Sequence, residues 1–368
     1  MCFAVCRIPL EWGAAAFPGE VRGRFPGKAC RKRGVFTLQK TLPRLGKIFL
    51  KNLIKILSLL LAVSIIAFAL VCASPIDPVG QYIMSLGTAV SAEQRAQLEE
   101  YWGVNEPPVE RYLGWLFRLL QGDLGESAIY RRPVADVIAQ RFVNSLALML
   151  CSWLFAGILG FTLGCLMGIF QNRWPDKILK KICYLLSSVP TFWLGLLFLL
   201  IFAVKLRWFP IGFSSPIGVL SEDVTVWDKL YHLFLPAFTL SLMSFSNIAL
   251  HTRQKLIDVL NSEYVLFARA RGEGKWMILR RHGLRNILLP AITLQFASFA
   301  ELFGGSVMAE NVFSYPGLGS AVSAAGLRCD VPLLLGVTLF SALFVCVGNM
   351  IANLLYGIID PQIQEVAE

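Results

Sequence analysis

The sequence predicts an all-α, polytopic membrane protein with about six transmembrane helices. Of its 368 residues, 56% are hydrophobic and 16% are charged, whereas soluble domains contain about 45–50% apolar and about 25% charged residues. The mean hydropathy is +0.61. Apolar runs of roughly 20 residues, the length that crosses a bilayer, lie at 48–72, 143–170, 182–205, 231–250, 288–312 and 333–359.

The charges between the spans predict the orientation of the chain. The turn 171–181 and the loop 251–286 are rich in Lys and Arg, whereas the segment 73–142 carries more acidic than basic residues. Because short basic loops stay in the cytoplasm, both loops are predicted inside, the 73–142 segment outside, and both termini inside. The net charge of +10 therefore reflects topology and not nucleic-acid binding, since the basic residues do not share one soluble face.

Four parts follow one another along the chain. Residues 1–46 are basic and lack sustained periodicity, so they are expected to be a disordered extension or the product of a translation start placed too far upstream. Residues 47–142 comprise the first span and the external segment. The core domain is 143–363 and includes the cytoplasmic loop 251–286, and residues 364–368 form a cytoplasmic tail.

The loop 251–286 contains a short predicted helix at 263–272. Its Ala and Arg residues favour a helix, and Gly272 is a natural stop where the chain must turn. Such a helix can lie parallel to the membrane as a rigid element, whereas the alternative is a merely solvated basic loop. Pro290 fits the first turn of the following span, where its missing N–H is not needed.

Glycines four residues apart mark one face of the second span. Gly160, Gly164 and Gly168 share this face, and without side chains the backbones of two helices can approach closely. Helix packing is the favoured interpretation, and a role in lining a pore is the alternative.

Glu301 is an ionisable residue inside the fifth span, followed by Gly304 and Gly305, with Glu310 closer to the outer end. A charge at such a depth costs about 2.5–3.5 kcal/mol on insertion scales, so Glu301 is predicted to face the bundle interior or an aqueous path. Carboxylates suit hard cations, whereas nickel draws nitrogen and sulfur ligands. A hydrogen-bonded structural role is therefore favoured over direct contact with a metal ion.

No catalytic or metal-binding constellation emerges from the sequence. The glycines around Lys275 lack the spacing of a phosphate-binding loop, and Trp276 stands where Ser or Thr would hold magnesium. His232, His251 and His282 are widely separated, and the nine cysteines show no paired CxxC spacing. The chain is thus predicted to be no enzyme and to bind no cofactor or metal of its own.

Short motifs recur in order along residues 46–363. The longest runs from Tyr264 to Pro290, and the others are Ile76–Pro78, Gly122–Gly125, Arg132–Val134, Phe192–Gly195, Leu235–Ala237, Glu310–Gly319 and Asp360–Pro361. Together they resemble the permease subunits of ATP-binding-cassette importers of the dipeptide, oligopeptide and nickel branch. One departure is that Leu266, Phe267 and Ala268 replace an acidic residue and two alanines of the widespread importer signature.

This resemblance implies the permease fold of binding-protein-dependent importers, in the bacterial cytoplasmic membrane and surrounded by lipid. The implied partners are a second similar permease, two cytoplasmic ATPases that bind ATP and magnesium, and an external solute-binding protein that delivers cargo to the 73–142 face. The implied ATPase-coupling residues are Glu263, Tyr264, Ala268, Arg269, Ala270, Arg271, Gly272, Arg281, His282, Arg285, Asn286 and Pro290.

The cargo class stays open between nickel, as ion or chelate, and short peptides. The pairs Glu301-Leu302, Gly304-Gly305 and Glu310-Asn311, together with Arg280–His282, look closer to the nickel members and favour nickel. A secondary transporter is the alternative function. It would need its own coupling-ion residues and often internal repeats, whereas intramembrane charge is sparse here and no repeat is found.

Overall fold

The computed structural model describes residues 38–73, 79–80, 83–84, 91–101, 107–216, 218–219 and 223–359. The predicted extension up to residue 37, the motifs Ile76–Pro78 and Asp360–Pro361, and the tail 364–368 lie outside these ranges. Residues Lys51–Glu368 form one compact unit.

Helices dominate the described chain, which confirms the all-α class. They are α1 (Leu38–Ala73), α2 (Ala92–Tyr101), α3 (Pro108–Leu120), α4 (Val134–Ile169), α5 (Trp174–Ser188), α6 (Thr191–Phe198), α7 (Val226–Leu260), α8 (Glu263–Ala270), α9 (Lys275–Ile278), α10 (Leu284–Ala297), α11 (Phe299–Val312), α12 (Leu318–Leu327) and α13 (Val331–Ile359). Short π-helical stretches follow α6 (Leu199–Lys205) and α9 (Leu279–Gly283). Before α4, the antiparallel strands β1 (Glu126–Ser127) and β2 (Arg132–Pro133) form a small hairpin.

The number of membrane spans agrees with the prediction of about six. Among the described residues, four helices are long and apolar enough to cross a membrane: Asn52–Ala73 within α1, then α4, α7, and Val331–Ala352 within α13. Two bent helix pairs raise the number to six if each pair is one span. The polytopic membrane architecture is therefore confirmed.

The third span is not the continuous helix predicted at 182–205. Helices α5 and Thr191–Lys205 meet at an angle of 108°. Val189, between them, has extended backbone angles (φ −94°, ψ 132°), because the ring of Pro190 clashes with a helical conformation of the preceding residue. The predicted span runs through this proline, because an apolar-run criterion weighs hydropathy and not backbone geometry.

The fifth span, predicted as 288–312, is also broken. Helix α10 ends at Ala297, and Asn286–Ala297 and Glu301–Val312 make an angle of 58°. Pro290 lies inside α10 and not in its first turn, because the helix begins at Leu284, directly after the π-helical stretch. Proline removes the backbone bond to the carbonyl four residues earlier, and the helix continues without it.

Several helix ends differ from the predicted ones, among them the starts of α1 and α4 and the end of α7. Helix α1 starts at Leu38, so residues 38–46 are helical and not disordered; helices grow readily once a longer segment has nucleated them. Helix α4 starts at Val134 and not at 143, with an amphipathic first part that the apolar-run criterion passes over. Helix α7 extends to Leu260, and the non-helical part of the loop 251–286 is correspondingly shorter.

Helix α7 is the central helix of the bundle. Its most apolar window is 72% buried inside the protein, against 11% for the window in α1. The glycine face of α4 packs against it. A Cβ atom added to Gly160 would lie 2.8 Å from Ile248, one added to Gly164 would lie 2.7 Å from the Ala249 carbonyl oxygen, and one added to Gly168 would lie 2.7 Å from Leu256.

An ion pair attaches the carboxyl-terminal part of α7 to the turn between α4 and α5. The Arg253 Nε donates to Asp176 Oδ1 at 2.6 Å, and its Nη2 donates to Oδ2 at 2.8 Å. The Asn172 backbone N–H also donates to Asp176 Oδ2, at 2.8 Å. Asp176 is 1% exposed, so this bidentate pair is buried and its carboxylate is fully engaged.

Replacing Gly164 with leucine tests the close packing of α4 on α7. A side chain here must displace the Ala249 backbone, and we expect a loss of about 1–3 kcal/mol of stability, measured as a lower melting temperature of the solubilised protein. Gly326→Leu is the control, because a Cβ at Gly326 would meet no atom within 4 Å. Equal melting temperatures for the two variants would contradict the packing argument.

A single and a double variant test the Asp176–Arg253 pair. Asp176→Leu leaves Arg253 without its buried partner, and we expect a loss of about 3–5 kcal/mol, whereas Asp176→Leu combined with Arg253→Met should recover most of it. The control is Glu99→Gln in the exposed Arg95–Glu99 pair, worth about 0–1 kcal/mol. The measurement is thermal unfolding, and a double variant no more stable than Asp176→Leu would refute the assignment.

Candidate functional site

The centre of the candidate site is the short helix α8, which matches the predicted helix 263–272 within two residues. Its end is built by backbone geometry. Gly272 has φ +84°, its N–H donates to the Arg269 carbonyl at 2.9 Å, and the Glu273 N–H donates to the Ala268 carbonyl at 3.1 Å. These bonds define a Schellman motif, in which glycine takes the left-handed position without strain. The end of α8 is therefore well defined.

Helix α8 is anchored through one apolar face. Val265 and Ala268 are buried and cluster with Ile278 of α9. On the outside, Leu266 is 55%, Phe267 72%, Trp276 60% and Met277 57% exposed. The segment 263–277 thus presents large apolar side chains that nothing in the described chain covers, next to basic residues. Such a surface is typical of a protein-binding site.

Glu273 joins the two halves of this segment electrostatically. Its Oε1 lies 3.0 Å from Arg271 Nη2 and 3.7 Å from Arg281 Nη1, and its Oε2 lies 3.3 Å from His282 Nε2. The carboxylate is only 10% exposed. It therefore lies close to residues from both sides of the turn after α8, and all three, Arg271, Arg281 and His282, were predicted as coupling residues.

The other predicted coupling residues occupy different places. Arg269 Nη2 donates to the Leu260 carbonyl at 3.1 Å, and Asn286 Nδ2 donates to Tyr264 Oη at 3.0 Å, so both brace the segment. Glu263 and Ala270 are the terminal residues of α8. The side chain of Arg285 lies outside the described part.

Pro290 lies apart from α8 and lines a cavity of about 300 Å³ between α7 and α10. The wall is largely apolar, with His251, Thr252 and Lys255 of α7 as its polar members on that helix. The structure thus separates Pro290 from the surface formed by the other predicted coupling residues.

Glu301 lies on an exposed stripe of the broken fifth span. The stripe continues through Gly304, Met308 and Asn311, and a Cβ added to Gly304 would meet no atom within 4 Å. In the part of the chain that the structure describes, Glu301 has no hydrogen-bond or ion-pair partner. Gly305, by contrast, faces inward, where an added Cβ would lie 2.8 Å from Leu240.

Glu310 is the buried carboxylate of this span, with no exposed surface. The Ser145 hydroxyl of α4 donates to Glu310 Oε1 at 2.6 Å, and the Ser320 backbone N–H donates to Oε2 at 3.1 Å. A carboxylate at the start of α12 satisfies free N–H groups and complements the helix dipole. Gly317 is required beside it, because an added Cβ would lie 2.2 Å from Glu310 Cδ.

Several contributing residues were missed by the sequence analysis. Glu273 and Asp176 were each counted only as a charge of their loop and turn, although an acidic residue inside a basic segment suggests an ion pair. The exposed Phe267, Trp276 and Met277 could have been found as large apolar residues in a segment predicted to be a basic cytoplasmic loop.

Comparison with known proteins identifies the family. Residues 160–365 match the family model described as "Binding-protein-dependent transport system inner membrane component". The chain is 35% identical over 307 residues to the oligopeptide transport system permease protein AppB of Bacillus subtilis, covering 83% of this chain and 95% of that protein. It is 33% identical over 317 residues to the glutathione transport system permease protein GsiC of Salmonella choleraesuis, covering 86% and 98% respectively. The chain therefore belongs to the inner-membrane permeases of ATP-binding-cassette importers, in their peptide and oligopeptide branch.

Proposed function

We propose that this chain is one half of the transmembrane pore of an importer for short peptides, driven by separate ATPase subunits. The complete complex would contain a second permease, two ATPases carrying ATP and magnesium, and an external solute-binding protein. Both termini and the segment 263–286 would face the cytoplasm, as the basic loops indicate. The chain itself would hold no ATP site.

The observation that carries this proposal is the exposed apolar surface on a rigidly ended helix. Leu266 and Phe267 on α8, with Trp276 and Met277 on α9, project from a segment fixed by Val265, Ala268 and the Gly272 turn. Such a helix can enter a groove of the ATPase and transmit its movement without bending. Arg269 and Asn286 connect the segment to the end of α7 and the start of α10, so a displacement of α8 would reach two spans.

The cargo path would run along the stripe of Glu301, Gly304 and Met308. This stripe includes a charged residue and a glycine, whereas on α1 Ile54, Leu57 and other large aliphatic residues face outward. A carboxylate without a partner cannot face hydrocarbon at low cost. The stripe is therefore proposed to face water or the second permease.

Peptide cargo is proposed in preference to nickel, which the sequence analysis favoured. The relatives described above carry oligopeptide and glutathione in their names, and both are peptides with a free ammonium group. The only carboxylate we place beside the path, Glu301, could contact the ammonium group of such a peptide.

Uptake of labelled peptide and of labelled nickel by one deletion strain, complemented with this chain, would distinguish the two cargoes.

A change at Gly272 tests coupling to the ATPase. In Gly272→Val the residue at φ +84° is strained, so the end of α8 should move, and transport in proteoliposomes should fall at least tenfold while the permease still assembles in the membrane. Phe267→Ala should weaken ATPase binding, because it removes an exposed apolar contact. The control for Gly272→Val is Gly218→Val, since Gly218 has the same φ of +84° but lies far along the chain from α8.

Two results would contradict the coupling model. One is normal transport by both Gly272→Val and Phe267→Ala. The other is continued transport by the intact complex after the ATPase is disabled by mutation, which would support a secondary transporter instead.

Gly304 and Gly305 form a matched pair for testing the path. Gly304→Ile places a side chain into open space, so the melting temperature should stay unchanged while transport falls at least tenfold. Gly305→Ile should lower the melting temperature, because its side chain would collide with Leu240. Full transport by the Gly304 variant would show that the stripe lies outside the cargo path. If this variant instead loses the second permease from the complex, the stripe is the interface between the two permeases.

A further inference from the structure

Helix α3 lies in the segment expected to be external, yet it has three distinct faces. Arg111, Tyr112 and Trp115 are partly buried on one side. Two further faces are exposed. The polar one carries Glu110, Gly114 and Arg118, and the apolar one carries Val109 (69% exposed), Leu113 (56%), Phe117 (64%) and Leu120 (78%).

The partly buried face of α3 packs on α1, inside the apolar span. Tyr112 Oη and Ser64 Oγ are 2.8 Å apart. The ring of Phe68 lies 5.4 Å from the ring of Tyr112 and 5.8 Å from that of Trp115. Ser64 and Phe68 are both buried by these contacts. Helix α3 is thus attached to α1 at two successive turns.

The position of these contacts along α1 sets the depth of α3. The apolar window Asn52–Ala73 has 22 residues, which gives about 33 Å of helix, close to the thickness of the hydrocarbon core, about 30 Å. Phe68 lies five residues and Ser64 nine residues before Ala73, or about 8 Å and about 14 Å below the end of the helix. The contacts therefore lie below the membrane surface.

We propose that α3 is an interfacial helix embedded in the outer leaflet, with Val109, Leu113, Phe117 and Leu120 covered by phospholipid acyl chains. Interfacial helices bury their apolar face about 5–10 Å into the boundary between headgroups and acyl chains, which is the depth given by Phe68. The polar face with Glu110 and Arg118 then lies toward the headgroups and water. Tyr112 and Trp115 are of the residue types that concentrate at this level.

Lipid fits the apolar face better than the solute-binding protein does. Helix α1, on which α3 packs, likewise carries exposed aliphatic residues, among them Leu57, Leu61 and Ile65, so both helices present apolar side chains that lipid can cover. A soluble binding protein would have to reach below the end of α1 to cover it. The residues 108–120 are therefore a membrane anchor of the external segment and leave the docking of the binding protein to other parts of it.

Site-specific photo-crosslinking in the complete transporter tests this inference. The photoreactive residue p-benzoylphenylalanine replaces Leu113 or Phe117 in complexes reconstituted into nanodiscs with alkyne-tagged phosphatidylethanolamine and phosphatidylglycerol. The polar-face control is Arg118, and the lipid-exposed reference is Leu57 of α1. Each sample is irradiated with and without the solute-binding protein loaded with peptide.

We expect positions 113 and 117 to label lipid at least fivefold more than position 118, at a level close to that of position 57, and without change when the binding protein is added. Leu120, also exposed, provides another insertion point if the Phe117 variant does not assemble. Crosslinks from 113 and 117 to the binding protein or to the second permease would overturn the inference. So would lipid labelling no higher than at 118.

Discussion

The close contact between α4 and α7 is the constraint on which the rest of the structure depends. Three glycines of α4 bring the backbones of the two longest central helices together, and at Gly164 the next atom is a carbonyl oxygen of α7. In a membrane, apolar side chains gain little by leaving lipid, so association depends on close packing and polar contacts. Because α7 is the most buried of the four continuous spans, its position fixes where the chain leaves the bundle toward α8.

Buried carboxylates hold the ends of the bundle. At one end Asp176 binds Arg253 and the Asn172 backbone. At the other, Glu310 accepts a hydrogen bond from the first turn of α12. Asp330 precedes α13 and accepts from the Ser127 hydroxyl at 2.6 Å and from the Ile129 N–H at 3.0 Å. Each carboxylate satisfies backbone N–H groups that helix starts and turns leave free. The ends can therefore be rigid although the apolar spans between them contribute few polar contacts.

The breaks in the spans place polar groups where a continuous helix could not. Pro190 turns the third span through 108°, and the fifth span is broken at Ser298, next to Glu301. Interrupted helices at membrane depth are tolerated where they are covered by protein or line an aqueous cavity. Under the proposed function, the elements between these interruptions would move as units while the α4–α7 contact is kept, as a transporter that alternates between two states requires.

The sequence by itself determined the membrane class, the approximate number of spans, the short helix at 263–272 with its end at Gly272, and the glycine face of α4. These features are local or periodic, since each depends on residues within a few helical turns. Only the tertiary structure decided that Glu310 is buried while Glu301 is exposed, and that Asp176 pairs with Arg253. It also decided that Pro290 lies within a helix, and that α3 packs against the apolar span of α1. Each of these depends on a partner or a helix start elsewhere in the chain: Ser145 is 165 residues from Glu310, and Asp176 is 77 residues from Arg253. Hydrophobic periodicity identifies which face of a helix is apolar, but it carries no information on which distant residue will cover that face.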